Sequence, residues 1–302
     1  MNSSLTTEER IWAVFSHLSA LALGMGIVLP IIGWSEQRRK SKYASFQCLQ
    51  ALGYQSLGYT IWLLSYLVVL IGILIVIIVM SYQAEKNGEA FDPLAGPITA
   101  VLFIVTFGFL ALYLLLPLIA AIACALGRDF RYPLMGNRLA RYLAYRKTDG
   151  NSAWLIEDHE DRWVAAMGHF SVIIALWGLL APFTAWVVQG KRSSFLKFQS
   201  MQTMVYQVFV NILFIVAGIF YFFGVIVFFA TTGLEGNPDL SSPTGMAGLV
   251  IFGLLSLFAS LIILVVPLFH VLGQWAGYRV LKGDDYKYPI IGNLVEKRMV
   301  KY

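Results

Sequence analysis

Two histidines stand inside long apolar stretches, each with a serine two residues on: His17 with Ser19, and His169 with Ser171. An ionisable group at membrane depth is a functional suspect by default, so one reading is a proton-responsive or ligand-contacting pair. The other is structural. Each ring bonds a glutamine of its own half, for instance Gln47 or Gln50, and ties two chain segments together, an interhelical bond worth about 0.6–2 kcal/mol. The glutamines themselves form a stripe. Gln47, Gln50 and Tyr54 are spaced i, i+3, i+7 and are followed by Gln55; the same types recur as Gln199, Gln202, Tyr206 and Gln207. On a helix the spaced residues share one face. Such a stripe lines a polar path or binds a peptide backbone, or its members satisfy one another. One histidine per half, without an acidic or thiolate companion, falls short of a closed metal site, so neither metal nor cofactor is expected. Paired carboxylates, a nucleophile with its base and a phosphate-cradling glycine loop are missing from the sequence, which argues against an enzyme.

The elements that must position these residues are duplicated. FQCLQALGYQ from Phe46 returns as FQSMQTMVYQ from Phe198, and at that offset of 152 fourteen of the forty-seven positions from Glu9 to Gln55 are identical. A second block closes each half, GRDFRYPLMGN from Gly127 and GDDYKYPIIGN from Gly283. The chain reads as a tandem repeat, with units at 1–146 and 161–302 and a polar linker at 147–160 centred on Asp149, Gly150 and Asn151.

Composition places both units in a membrane. The chain is 58% apolar and 13% charged, with a mean hydropathy of +0.71, against about 25% charged in soluble domains. Six runs carry no Asp, Glu, Lys or Arg: 11–35, 43–84, 93–127, 163–190, 198–234 and 240–278. Each is long enough for the roughly 20 residues that span hydrocarbon, where only helices satisfy their own backbone. The N-terminal run is not expected to be an export signal, because its leader is acidic before Arg10 and the same segment recurs at Arg162. Cys48 and Cys124 read as reduced structural residues. Thr6 and Glu9 are spaced as a capping box that opens a helix at about Arg10, and Trp34 and Trp186 read as interfacial anchors.

Charge then discriminates between topologies. If all six runs cross, the 22 lysines and arginines divide evenly between the two faces, which orients nothing. If the first segment of each repeat, about 11–34 and 163–188, enters and returns, every basic residue except Lys86 lies on one side. The positive-inside rule favours the second arrangement. A straight helix of 24 residues would reach about 36 Å, so the first segments are expected to break near Gly24–Gly26 and Pro30, and near Gly178 and Pro182. The fold expected is all-α: a polytopic membrane protein of two parallel repeats, each with a broken, re-entrant first helix and two long transmembrane helices.

The basic residues cluster at membrane edges. Arg38, Arg39 and Lys40, with Lys191 and Arg192, sit in the loops before the glutamine stripes; Arg138 and Arg141, with Lys297 and Arg298, follow the Tyr-Pro blocks, read as turns that lay a short basic helix on the surface. Arg10 and Arg162 read as surface charges at helix starts. This placement fits anionic lipid headgroups rather than nucleic acid.

The pattern R-x-x-A-x-x-x-H-x-S around each histidine, the Pro-to-Trp segment, the basic loop, the F-Q-x-x-Q-x-x-x-Y-Q stretch and the closing G-x-x-[FY]-x-Y-P resemble the small bacterial membrane proteins grouped with the Tic translocon channel subunit of the chloroplast inner envelope, a group that includes magnetosome-membrane proteins. The resemblance implies a small helical module working with membrane-protein partners inside an assembly, in a bacterial plasma membrane; the positive-inside rule then makes the basic loops cytoplasmic. The function expected is a non-enzymatic structural or translocation-type subunit; the alternative is a small-solute channel or carrier with a polar path between the repeats.

Overall fold

The computed structural model describes residues 5–88, 97–146, 154–233 and 242–299. Asp149, Gly150 and Asn151 of the linker, and most of the two polar turns, lie outside them. The described elements are all helical.

Repeat one opens with α1 (Thr7–Leu18), started by the Thr6–Glu9 capping box, in which Glu9 N–H donates to Thr6 Oγ1 at 3.2 Å and Thr6 N–H to Glu9 Oε2 at 2.6 Å. A 3-10 stretch (Ser19–Ile27) leads into α2 (Val28–Gln37). The chain turns back at Leu23, which holds φ 51° and ψ −133°. Gly26 makes the return possible, because a Cβ there would lie 1.9 Å from the Ser19 carbonyl oxygen. α2 ends where α1 began: Gln37 Nε2 donates to Glu8 Oε1 at 2.9 Å. The segment is thus a helical hairpin, although by length and apolarity alone Thr7–Gln37 could pass as a single span.

The second hairpin repeats the construction, with α6 (Glu157–Phe170), a 3-10 turn (Ser171–Ile174), the short α7 (Ala175–Gly178) and α8 (Leu180–Gln189). Its bend is 117°. Ala175, the counterpart of Leu23, holds φ 41° and ψ −135°, and a Cβ on Gly178 would lie 2.0 Å from the Ser171 oxygen. The bends therefore sit at Leu23 and Ala175 rather than at the prolines. Pro30 and Pro182 are the third residues of α2 and α8, where the missing N–H is one that the helix start leaves unbonded anyway. α6 also begins inside the stretch that the sequence assigns to the linker.

Two long helices follow each hairpin: α3 (Lys42–Asn87) and α4 (Pro97–Ala125), then α9 (Ser194–Thr232) and α10 (Pro243–Leu281). Ser41 and Ser193, at equivalent positions, cap α3 and α9 by accepting from Ala44 N–H and Leu196 N–H, both at 3.1 Å. α3 is about 69 Å long at 1.5 Å per residue, more than twice the hydrocarbon thickness. Its start is packed in protein as far as Ser56, whereas Ile61, Leu64, Val68, Ile75 and Ile78 further on are exposed apolar residues. The polar stripe therefore belongs to a packed head, and the rest of the helix to lipid. After α4 and α10 the closing blocks fold back against the head and end in α5 (Gly136–Tyr142) and α11 (Ile291–Met299).

The heads of the two repeats dock side by side. Trp163 Nε1 donates to the Leu49 carbonyl at 2.9 Å, and Gln189 Nε2 to Ser35 Oγ at 2.7 Å. Arg38 reaches Glu160 at 3.2 Å and Asp161 at 2.6 Å. Both basic loops consequently lie at the same end of the molecule. Two surface assignments change here. Arg38 is buried, because carboxylates of the other repeat surround it, and Trp34 is buried with its Nε1 on Glu160 Oε1 at 3.0 Å. Each serves the interface between repeats rather than the membrane surface.

Candidate functional site

Each head holds one closed polar cluster. His17 Nδ1 lies 3.0 Å from the Tyr132 hydroxyl and Nε2 lies 3.1 Å from Gln47 Oε1. Gln47 Nε2 donates to Asp129 Oδ1 and to the Phe130 carbonyl, both at 3.1 Å. Gln50 Nε2 donates to Gln47 Oε1 at 3.1 Å and to the same Phe130 carbonyl at 3.0 Å, while Gln50 Oε1 accepts from Tyr132 N–H at 2.9 Å. The i, i+3 spacing on α3 thus clamps the backbone of the closing block, and the histidine on α1 meets both.

Repeat two reproduces this arrangement. His169 sits 3.0 Å from Tyr288 Oη and 3.0 Å from Gln199 Oε1. Gln199 and Gln202 both donate to the Tyr286 carbonyl, at 3.1 and 2.8 Å, and Tyr288 N–H donates to Gln202 Oε1 at 3.1 Å. Thr203 Oγ1, 3.0 Å from His169 Nδ1, is an addition that repeat one lacks. In both clusters the histidine and the two glutamines are fully buried.

The remaining stripe residues close the hairpin turn. Gln55 Nε2 donates to the Ser16 carbonyl at 3.1 Å and to Ser19 Oγ at 3.0 Å; Gln207 Nε2 does the same with the Gly168 carbonyl at 2.8 Å and Ser171 Oγ at 3.2 Å. Tyr54 donates to the Tyr113 carbonyl at 2.7 Å and stacks on Tyr132 with centroids 4.2 Å apart; Tyr206 donates to the Phe269 carbonyl at 2.6 Å and stacks on Tyr288 at 4.0 Å. The first helix of each hairpin, the two long helices and the closing block therefore each contribute at least one group to the cluster of their repeat.

The periodicity of α3 and α9 did not point to Tyr132 and Tyr288 as histidine partners, although their signal was visible in the repeated Y-P block. That block is the underside of each head, with the turn held by Leu134 and Ile290 at φ 64° and 66°. Arg162 is likewise more than a surface charge at a helix start: it pairs with Asp158 at 2.9 Å and with Asp285 of the closing block at 3.2 Å. Arg39, Lys40, Arg138, Arg141, Lys191, Arg192, Lys297 and Arg298 are exposed at the basic end. Burial, and then the Asp129 carboxylate, push the Tyr145 phenol beside them well above its ordinary value, which keeps it a neutral donor. Among the described residues no group of three or more His, Cys, Asp or Glu side chains is placed to hold a metal.

Buried polar heads on long lipid-facing helices, built twice from one pattern, define an integral membrane protein of duplicated helical modules. The chain belongs to the magnetosome magnetite crystal formation protein family, whose model matches residues 8–139 and again 160–295. No curated protein and no solved structure matches it.

Proposed function

We propose that the protein is a non-enzymatic subunit of a membrane assembly, structural or translocation-type, that lies against anionic headgroups and works with other membrane proteins. Its basic end faces the cytoplasm in this reading, and the membrane is the bacterial plasma membrane or one derived from it, as the magnetosome name of the family suggests. The translocation element comes from the likeness to the Tic channel subunit alone. The observation that carries the proposal is the state of the polar stripes. Gln47, Gln50, Gln199 and Gln202 are fully buried and bonded to the backbone of their own closing blocks. Groups engaged in this way hold a scaffold together and leave long apolar helices for partners and lipid.

The experiment compares wild type with Gln50→Leu and Gln202→Leu. A subunit co-purifies with membrane partners in mild detergent, and both substitutions lower stability or assembly. Solute flux in liposomes holding the pure wild-type protein, abolished by either substitution while the fold is retained, would overturn the proposal in favour of a channel or carrier.

A further inference from the structure

The two repeats differ most in charge around their closing blocks. From 127 to 146 there are five arginines and one acid, Asp129; from 283 to 302 there are four basic residues and three acids. In repeat one three of the arginines line a cleft. Two residues beyond the end of α5 at Tyr142, Ala144 takes φ 55°, and Tyr145 N–H bonds back to the Ala140 carbonyl at 2.7 Å, so that Tyr145 and Arg146 turn back toward the helix. The cleft this creates, about 480 Å³, is lined by Arg131, Asn137, Arg141, Tyr145 and Arg146 together with two alanines.

Its walls are held firmly. Tyr145 stacks on Phe46 with centroids 4.0 Å apart and donates to Asp129 Oδ1 at 3.2 Å. Arg131 is fixed by Asp129 Oδ2 at 3.2 Å and by Asn137 Oδ1 at 2.9 Å. Asp129 offsets one arginine. Arg141 and Arg146 have no acidic partner among the described residues. A further cation lies behind the wall: Lys42 is 3% exposed, its Nζ is buried without a hydrogen-bond partner, and it stands 6.0 Å from the Tyr145 ring centroid. A buried ammonium with no counter-charge is costly, and an anion in the cleft would relieve part of that cost.

Repeat two serves as an internal control. At the equivalent positions Arg131 becomes Lys287, Ala140 becomes Glu296, Arg141 becomes Lys297 and Lys42 becomes Ser194. Glu296 lies where the cleft would open and accepts from Lys287 Nζ at 2.7 Å. One copy of the module has neutralised this place and the other has left it cationic.

We infer that the cleft of repeat one is a binding site for a phosphate-bearing anion, with the Arg141 and Arg146 guanidinium groups as its recognition forks. Guanidinium N–H pairs match two phosphate oxygens at once. The phosphate comes from a phospholipid headgroup or from phosphate in solution. Only the choice of source rests on the membrane-facing reading above; the site itself does not.

The test uses the full-length protein in dodecyl maltoside, with inorganic phosphate and dioctanoyl phosphatidylglycerol as separate probes, read by ligand-induced shifts in melting temperature and by native mass spectrometry. Two double variants are compared with wild type: Arg141→Gln with Arg146→Gln, and Lys297→Gln with Arg298→Gln. All four positions are exposed, and circular dichroism checks the fold. The expected result is saturable binding, weakened about tenfold or more by the first pair and unchanged by the second. Binding of inorganic phosphate supports a site open to free phosphate, and binding of the lipid alone supports a headgroup site. Absence of saturable binding for both probes, or equal weakening by both double variants, overturns the inference.

Discussion

Replacing Arg38 by Met tests whether one buried cation holds the repeats together. The Arg38 side chain is 5% exposed and reaches Glu160 through Nε at 3.2 Å and Asp161 through Nη2 at 2.6 Å, with a further bond to the Glu157 carbonyl at 3.1 Å. It also lies over the Trp34 ring, 4.8 Å from the centroid. Met preserves most of the apolar stem but leaves Glu160, whose side chain is 3% exposed, with no cationic partner to replace Arg38. Removing one member of a buried pair costs about 3–5 kcal/mol, because the charge left behind stays desolvated. At a few degrees per kcal/mol, the melting temperature should fall by roughly 10 °C. The control is Arg39→Met. Arg39 pairs with Glu157, but both side chains are more than half exposed, so the expected cost is about 0–1 kcal/mol. The assay is thermal unfolding in detergent, with limited proteolysis of the linker as a readout of docking. Adding Glu160→Gln to Arg38→Met should recover part of the loss, since the amide oxygen still accepts from Trp34 while the stranded charge is gone. Equal falls for Arg38→Met and Arg39→Met, or no recovery in the double variant, would refute the reasoning.

Gly26→Ala and Gly178→Ala should each prevent the hairpin from closing, with loss of the monodisperse peak in fluorescence size-exclusion chromatography. Gly72→Ala, where a Cβ meets nothing within 4 Å, should elute as wild type. His17→Leu should lower stability by about 1–3 kcal/mol, because the buried Tyr132 hydroxyl loses its partner, while Gln47 Oε1 keeps its bond from Gln50 Nε2; unchanged melting would show that the imidazole is dispensable. Single cysteines at Lys40 and Arg192, in a background lacking Cys48 and Cys124, should both react with an impermeant thiol reagent from the same side of the membrane. Reaction from opposite sides would exclude parallel repeats.

Class, duplication and hairpin were legible in the residues before any coordinates. Charge-free runs require membrane helices because hydrocarbon offers no partner to a backbone or a charge, and the positive-inside rule favours first segments that enter and return. Gly26 and Gly178 were already marked as repeated, and the structure supplies the reason in the carbonyl oxygens of Ser19 and Ser171. The i, i+3 glutamines were readable as a stripe because helical periodicity is a local property.

Tertiary structure alone decided what that stripe touches. Tyr132 lies 115 residues from His17, and Glu160 lies 122 residues from Arg38. Periodicity along one element says which face is polar, but not which distant segment will cover it. Arg38, Arg39 and Lys40 are consecutive cations of one loop, equivalent by type and position; only the docking of α6 buries the first against carboxylates and leaves the other two in water. The reason is physical: a side chain's environment is a sum over neighbours in space, and the deciding partners of His17 and Arg38 arrive from the other end of the repeat or from the other repeat.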